Sequence, residues 1–398
     1  ADGRPVVLHV VHGWGGGAMA FIHDLALADP DRCHLALVAR GSSLRRQYGE
    51  ALELVLPALP AGPALARWPL PRPLAATTDG DPAHAAILAE VLRDYAVDGV
   101  SISSLIGHDL GALRTGLPTM VVCHDYYPLW PVLHCDFGDG ARRFDRDELA
   151  RELARAELPF IERDADAWWA LRERYVATLL ATRPGIAVPT ATVRDNLLRL
   201  EPRLAELGPR VVAHGFRAFP AGAPAGRVPR HGGKPRVLVL GRIQGGKGAE
   251  LLREVIPALV ARCDFHLLGA GTSGFDWFGC SGVDIELDYA RDELAAQVAR
   301  IAPDLALIAA SVAETWSYTL SELQALRVPV LATAIGSLAE RVVDGINGWT
   351  VAPRAGAIVA RVQALLDDPA ALAAMRERLA SITLRDSAAM AADHAAAL

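Results

Sequence analysis

Lysine is almost absent from this sequence of 398 residues: of its 40 basic residues only Lys234 and Lys247 are lysine. The compact ammonium of lysine and the flat guanidinium of arginine are not equivalent inside a tight loop. Because arginine serves at every other basic position, each lysine calls for a local reason.

Long apolar runs and paired cysteines are also lacking. The longest apolar stretch, residues 305–313, is about half of the ~18 residues that a membrane-spanning helix requires. The five cysteines include no Cys-x-x-Cys pair, which argues against a disulfide framework or a zinc ribbon and favours a reducing compartment. No secretory signal is evident. We therefore expect a cytoplasmic protein that at most contacts the inner face of a membrane peripherally.

Excess positive charge is lacking as well. The formal net charge is −6, so the chain has no general attraction for nucleic acid or for anionic lipid. We therefore expect no nucleic-acid partner, and any phosphate must be bound by a few residues of one site and not by the overall charge. Because the chain opens without Met, we expect a processed form or a piece of a longer chain whose other domains are its partners.

Apolar runs alternate with helical patterns almost from end to end, as in parallel sheets built from βαβ units. The pattern predicts an α/β protein with two tandem doubly wound, Rossmann-like domains that face a central ligand cleft. The predicted parts are an N-terminal domain (1–217) with a helical insertion near 145–182, a linker rich in proline and glycine (218–235), a C-terminal domain (236–380) and a helical tail (381–398).

A glycine-rich loop, residues 12–18, directly follows the first apolar strand. Glycines at Gly16 and Gly17 allow close approach of the backbone to a ligand, and the next helix offers unpaired N–H groups to an anion. The loop also fits the dinucleotide fingerprint G-x-G-x-x-A, although the second strand ends in Arg40-Gly41 where that fingerprint expects an acidic residue. A tight turn without any ligand is the third interpretation.

A second glycine-rich loop, residues 241–248, follows the strand predicted at 237–240. Arg242 and Lys247 bracket it, and two cations at the mouth of a parallel sheet are suited to grip a diphosphate. The loop is not a Walker A sequence, because Gly248 is followed by Ala-Glu. The alternative is a pair of solvated cations on a connecting loop.

The segment 314–322 carries two carboxylates, Glu314 and Glu322, on either side of a predicted helix start. Carboxylates accept hydrogen bonds from sugar and ribose hydroxyls, and the N–H groups of residues 317–319 are placed to face a phosphate. The sequence Thr319-x-x-Glu322 is also a capping box, which by itself would explain Glu322 but not Glu314.

Taken together, the motifs of the second half resemble the retaining glycosyltransferases of the GT-B fold, specifically glycosyltransferase family 4. The resemblance extends over about residues 236–368 and, more loosely, over the first glycine-rich loop and the His124-Asp125 loop. The chain has Gly246 where the family often has an acidic residue, and Trp316-Ser317 where it usually has Phe-Gly. The matching segments are 241–248, 314–322, 329–332, 335–340 and 344–349.

The resemblance implies a role for each of these positions. Arg242 and Lys247 would hold the donor diphosphate, and the N–H groups of Ser317, Tyr318 and Thr319 would face it. Glu322 would bind the ribose and Glu314 the donor sugar. Gly16 and Gly17 would let the first domain close on the phosphates.

His124 and Asp125 follow the strand predicted at 119–123, where the family often carries a histidine near the reacting sugar. We expect one of them to orient the donor sugar or the acceptor hydroxyl, and a histidine satisfied by local backbone is the alternative. A metal site would have to use Cys123, His124, His134, Cys135 and Asp136, whose spacing does not match a zinc site.

The sequence therefore predicts a transferase that moves a sugar from a nucleotide-diphosphate sugar to a hydroxyl of a glycan or lipid-linked saccharide. The resemblance implies retention at the anomeric carbon, with no metal or other cofactor. We expect a role in bacterial surface polysaccharide or lipopolysaccharide synthesis. An NAD(P)-dependent oxidoreductase and a non-catalytic module of a larger polymerase are the two alternatives.

Overall fold

The computed structural model describes residues 3–14, 16–42, 47–59, 62–138, 142–156, 158–219 and 233–398. The chain divides into two compact units, Ala1–Gly215 with Arg385–Leu398, and Phe216–Leu384. The domain boundaries drawn from the sequence stay predictions, and most of the predicted linker, residues 220–232, lies outside the described residues.

The elements alternate along the chain as the apolar pattern predicts. The strands of the described ranges are β1 (Val6–His12), β2 (Cys33–Ser42), β3 (Gln47–Val55), β4 (Ala66–Pro69), β5 (Thr77–Thr78), β6 (Gly99–Ile102), β7 (His108–Asp109), β8 (Thr119–Val122), β9 (Gly185–Val188), β10 (Arg210–Val211), β11 (Arg236–Leu240), β12 (Asp264–Leu268), β13 (Val283–Glu286), β14 (Leu305–Ile308), β15 (Val330–Thr333) and β16 (Trp349–Val351). The α-helices are α1 (Gly17–Ala28), α2 (Pro82–Asp94), α3 (Arg146–Leu153), α4 (Ala165–Thr182), α5 (Ala191–Leu200), α6 (Ala249–Leu259), α7 (Leu294–Ile301), α8 (Tyr318–Ala325), α9 (Ser337–Arg341), α10 (Ala355–Leu366), α11 (Pro369–Ala380) and α12 (Ser387–Ala395).

The first unit is built on a sheet in the order β10-β9-β8-β6-β1-β2-β3-β4. Its strands are parallel from β10 to β2, whereas β3 and β4 run antiparallel to their neighbours at one edge. Only four residues separate Ser42 from Gln47, too few for the crossover that a parallel pair needs. The first sheet is therefore mixed rather than purely parallel.

The second unit is built on a wholly parallel sheet in the order β13-β12-β11-β14-β15-β16. Alternate residues of its strands face two apolar layers, one with α6, α10 and α11 and the other with α7 and α8. Burial on both faces explains why its strands are continuous apolar runs rather than alternating ones. The predicted α/β class with two parallel-sheet domains is confirmed.

The C-terminal segment returns to the first unit, where α12 packs on α1. Gly215 makes this possible, because a Cβ there would lie 2.3 Å from the backbone oxygen of Asp386. In the described part of the chain, no helix combines the length and the apolar character that crossing a bilayer demands. All five cysteines lie in the described ranges, and each is a free thiol.

Candidate active site

The strongest candidate site lies at the carboxyl edge of the second sheet, where the strand order reverses. From β11 the chain passes to β12 on one side, and it later returns to place β14 on the other. The loops that follow β11 and β14 therefore begin side by side, which is where open α/β sheets bind ligands. These loops contain the basic segment 241–248 and the start of the acidic segment 314–322.

Gly248 fixes the basic loop against the end of β14. Its φ is +90°, and a Cβ at this position would lie 2.0 Å from the carbonyl oxygen of Ala309. The N–H of Ser311 donates to the carbonyl of Gly246 at 2.9 Å, which joins the two loops a second time. Only glycine permits this close approach, so the predicted glycine turn has a structural reason besides a ligand.

Lys247 and Glu314 meet across this junction. The Lys247 ammonium donates to Glu314 Oε1 at 2.9 Å, although the residues are 67 positions apart in the sequence. The lysine side chain is 42% exposed and that of Glu314 only 11%. The backbone of Glu314 is also held, since its carbonyl accepts from the N–H of Ser337 at 2.9 Å.

Arg242 lies on the same loop, nearer its start. It is exposed, and a Cβ at Gly271 would lie 3.2 Å from its Nη1, so the guanidinium lies beside the loop that follows β12. Two cations of different shape thus flank one loop at the sheet edge. A flat guanidinium and a flexible ammonium grip a diphosphate in complementary ways.

Helix α8 starts at Tyr318, with Ser317 as its N-cap. The Ser317 hydroxyl accepts from the N–H of Leu320 at 3.4 Å, so the alternative in which Thr319 caps the helix is wrong. Thr319 instead points its hydroxyl towards Gly241, 3.4 Å from where a Cβ would stand. The N-terminus of α8 and the basic loop are therefore neighbours.

Glu322 lies one turn inside α8 and is nearly covered, with 7% of its side chain exposed. Its Oε1 accepts from Nε of Arg291 at 3.3 Å. Arg291 belongs to a 3₁₀ turn, Arg291–Glu293, between β13 and α7. The sequence pattern gave no signal for Arg291, because its partner is 31 residues away.

Arg341 is a second residue that the sequence pattern did not single out. Its guanidinium lies 3.6 Å from the ring centre of Trp316 and donates to the carbonyls of Trp316 and Ser317 and to Ser321 Oγ. Burial lowers the pKa of Arg341 to about 10, and the charge of Glu314 opposes that shift. Arg341 remains charged at neutral pH and fixes the segment between Glu314 and α8.

The glycine-rich loop of the first unit has two different parts. Gly13 is structural, because its N–H donates to the Ala39 carbonyl at 2.8 Å and a Cβ would lie 2.7 Å from that oxygen. Gly16, with φ +78°, is the N-cap of α1 and has open space where a Cβ would stand, and Gly17 is the first residue of that helix. Gly16 and Gly17 are both exposed at the start of α1.

His124 and Asp125 line a small cavity of the first unit, together with Ser103 and Tyr175. His124 Nε2 lies 3.3 Å from Ser103 Oγ, and its ring lies edge-on to Phe21. Burial lowers the pKa of His124 to about 3, so its ring is neutral at pH 7. A neutral imidazole can orient a hydroxyl but cannot supply a positive charge.

Asp125 has a local structural task as well. Its Oδ1 accepts from the N–H of Tyr127 at 2.9 Å, forming a turn at the end of β8. Burial raises the pKa of Asp125 to about 6, and the hydrogen bond from Tyr127 opposes this rise. Among the residues of both units that the structure describes, no group of three or more His, Cys, Asp or Glu side chains is arranged to hold a metal ion.

The structure thus brings several predicted residues to one sheet edge. Lys247 contacts Glu314 directly, Thr319 lies beside Gly241, and Ser317, Tyr318 and Glu322 belong to the same short segment. Arg242 lies on the loop that carries Lys247. The other four predicted residues, Gly16, Gly17, His124 and Asp125, belong to the first unit.

The match to a known family lies in the second unit, whose sheet edge carries the candidate site. Residues 234–368 match the family model described as glycosyl transferases group 1, which is about a third of the chain. None of the curated proteins compared matches the sequence.

Solved structures resemble the chain over nearly its whole length. Sucrose-phosphate synthase from Thermosynechococcus elongatus has a TM-score of 0.62 at 18% identity, covering 99% of this chain and 98% of its own. HepE of Anabaena, in complex with UDP and glucose, has a TM-score of 0.62 at 15% identity, covering 99% and 98%. The catalytic domain of starch synthase IV from Arabidopsis thaliana, bound to ADP and acarbose, has a TM-score of 0.61 at 12% identity, covering 98% of each chain. At such identities the likeness shows the fold, and with the family match it supports a GT-B glycosyltransferase.

Proposed function

We propose that this protein transfers a sugar from a nucleoside-diphosphate sugar to a hydroxyl group of a glycan or lipid-linked saccharide, with retention at the anomeric carbon. The observation that carries the proposal is the junction of the basic loop and the acidic segment at the reversal of the second sheet, where Lys247 contacts Glu314. The match of residues 234–368 to group 1 glycosyl transferases supports the same reaction class.

In the proposed reaction, the bond between the anomeric carbon and the phosphate oxygen breaks and the diphosphate leaves with the electron pair. Arg242 and Lys247 stabilise the charge that develops on that diphosphate, together with the N–H groups of Ser317, Tyr318 and Thr319. The acceptor oxygen forms the new bond, and its proton passes to the departing phosphate oxygen. No metal ion is needed for this charge balance.

The two carboxylates have different tasks in this proposal. Glu314 accepts hydrogen bonds from the donor sugar and holds Lys247 in place before the donor binds. An ammonium has three donor hydrogens, so a bond to Glu314 is compatible with bonds to phosphate oxygens. Glu322 accepts from the ribose hydroxyls.

The first unit binds the acceptor in this proposal. His124, neutral at pH 7, and Asp125 orient the sugar or the acceptor hydroxyl, and the exposed Gly16 and Gly17 admit phosphate oxygens at the start of α1. We also propose a place in bacterial surface polysaccharide synthesis, in the cytoplasm or at the inner face of the membrane.

Calorimetric titration tests the ligand class. We expect UDP or ADP to bind the wild-type protein and NAD(P) not to bind. Lys247→Ala should weaken nucleoside-diphosphate binding at least about tenfold, the loss expected for a charge-assisted hydrogen bond. The matched control is Lys234→Ala, because Lys234 is the only other lysine and its ammonium donates to the Val260 carbonyl. Binding of NAD(P) alone would identify an oxidoreductase instead.

A panel of nucleotide sugars, followed by nuclear magnetic resonance of the product, tests the reaction. We expect a glycosidic bond with the same anomeric configuration as the donor, formed in the presence of a metal chelator. Tight donor binding without transfer to any acceptor or to water would indicate a non-catalytic module.

A further inference from the structure

Glu322 is a carboxylate in a covered position, and one group that binds it comes from another part of the second unit. Arg291 Nε donates to its Oε1 at 3.3 Å, while the side chains are only 23% and 7% exposed. A covered carboxylate requires such a partner, because burying an unpaired charge is costly. The partner comes from the turn after β13, whereas Glu322 belongs to α8.

Arg291 is itself held in place by a second segment of the unit. Its Nη2 donates to the Arg217 carbonyl at 3.0 Å, and its guanidinium lies 5.5 Å from the ring centre of Phe216 and 5.9 Å from that of Phe219. Residues 216–219 are the first part of the second unit. The guanidinium therefore contacts both this segment and Glu322.

The charge of Glu322 reaches a second neighbour. Burial is the main cause of the raised pKa of Tyr289, and the negative charge of Glu322 is the next largest. The Tyr289 ring occupies the space beside Gly269, where a Cβ would lie 2.5 Å from the ring. Tyr289 and Arg291 are therefore both neighbours of the Glu322 carboxylate in a packed environment.

A guanidinium that is held in place restricts the orientation of a glutamate carboxylate more than water does. The guanidinium plane presents its N–H groups in set directions, so a carboxylate bound to a fixed guanidinium has a defined orientation. A group that is already oriented loses less side-chain entropy when a ligand binds. Only hydroxyls in a matching geometry benefit from this arrangement.

We propose that Arg291 is a positioning residue that orients the Glu322 carboxylate for the two ribose hydroxyls and so gives the site its preference for ribonucleotides. The inference rests on the proposed function, in which Glu322 binds the ribose of the donor. It adds that discrimination depends on a residue that does not touch the nucleotide, and that segment 216–219 supports that residue.

Titration of paired ligands tests this proposal. UDP and its 2′,3′-dideoxy analogue differ only in the hydroxyls, and ADP with its dideoxy analogue replaces them if the protein prefers adenine. In Arg291→Ala we expect the dissociation constant of the ribonucleotide to rise about tenfold, the order of a lost charge-assisted hydrogen bond. The dissociation constant of the dideoxy analogue should rise less than about twofold, so the preference between the two ligands falls.

Two further variants separate positioning from general damage. Arg291→Lys keeps the charge and lacks the planar fork, so we expect an intermediate preference; it also provides the measurement if Arg291→Ala does not fold. Arg300→Ala is the matched control, because Arg300 forms an exposed pair with Glu286 in the same unit. We expect this control to keep the wild-type preference.

Two outcomes overturn the proposal and are distinguishable. If the Arg291 variants weaken both ligands by the same factor, Arg291 supports the unit as a whole and does not orient Glu322. If the wild-type protein binds no nucleoside diphosphate at all, the proposed function fails, and the role of Arg291 fails with it.

Discussion

Both units have the α/β plan, but they differ in the polar side chains that they bury or pair. The first unit contains ten of the twelve histidines, and several of them are buried as neutral rings. The second unit keeps charged pairs at the carboxyl edge of its sheet, Lys247 with Glu314 and Arg291 with Glu322. The ten histidines of the first unit are those at 9, 12, 23, 34, 84, 108, 124, 134, 214 and 394.

This difference predicts which kind of change destabilises each unit. A buried neutral histidine resists protonation, so its burial makes a unit sensitive to acid. A charged pair at a loop junction depends on the backbone that brings its members together. We therefore expect the first unit to respond to pH and the second to respond to changes in its glycine turns.

The largest expected effect is that of Gly248→Ala in the second unit. The added Cβ would collide with the Ala309 carbonyl at 2.0 Å in a backbone with φ +90°. We expect a loss of about 4 kcal/mol or more of unfolding free energy, or a displaced loop that no longer binds nucleoside diphosphates. Chemical denaturation and calorimetric titration measure the two results.

Gly345→Ala is the control for this collision. Its φ is +73°, and no heavy atom lies within 4 Å of the added Cβ. It should cost only the backbone strain, about 1 kcal/mol. Equal losses in the two variants would mean that contact with Ala309 does not matter.

Acid should destabilise the first unit before the second. Burial lowers the pKa of His394 from 6.5 to about 4, that of His124 and His108 to about 3, and that of His9 well below its ordinary value. Because the unfolded chain binds these protons more readily, this stabilisation is complete above about pH 6.5 and is lost as pH falls through about 4 to 3. Hydrogen exchange at pH 7 and pH 4.5 should show first-unit amides losing several kcal/mol of protection.

His394→Leu sharpens this prediction. Neither ring nitrogen of His394 has a hydrogen-bond partner among the described residues, and the side chain is buried against Phe21. Its pKa shift corresponds to about 3 kcal/mol, so the leucine variant should lose less stability between pH 7 and pH 4.5. An unchanged pH dependence would contradict the role given to this histidine.

A smaller effect of the opposite sign is expected at Asp125. Its pKa of about 6 lies above the ordinary value of 3.8, so the folded state loses stability as pH rises from about 4 through 6. Asp125→Asn keeps an acceptor for the Tyr127 N–H and removes the buried charge. We expect a gain of about 3 kcal/mol at pH 7.5 and almost none at pH 4, measured by urea unfolding.

The smallest effect is expected at Ser317, which adopts φ +67° where the resembling family usually has glycine. Ser317→Gly relieves the left-handed strain and loses a long capping bond of 3.4 Å, for a net gain of about 0.5 kcal/mol. Ser317→Ala keeps the strain and loses the cap, so it should cost about 1 kcal/mol. Thermal unfolding of both variants checks the sign of each change.

Much of the α/β plan followed from local pattern. The strands predicted at 119–123 and 237–240 agree with β8 and β11 within one residue, because strands covered on both faces need no polar alternation. The antiparallel edge formed by β3 and β4 was not predicted, since an apolar run does not show whether its strand is parallel or antiparallel to its neighbour. The short β4 and β16 carry too few apolar residues to stand out.

Some residues of the candidate site were also predicted from the sequence and others were not. Arg242, Lys247, Glu314 and Glu322 were found from residue type and spacing, and their roles in sugar transfer stay proposals. Arg291 and Arg341 were missed, because each acquires its meaning only from a partner distant in the chain, Glu322 for the first and Trp316 for the second.

By itself the sequence determined the α/β alternation and the positions of the glycine turns, since hydrophobic periodicity and the backbone freedom of glycine are local properties. Only the tertiary structure decided that Lys247 reaches Glu314, that Arg291 contacts Glu322 and that α12 returns to the first unit. It also decided which histidines stay neutral, because a pKa depends on burial and on neighbouring charges that chain order does not state.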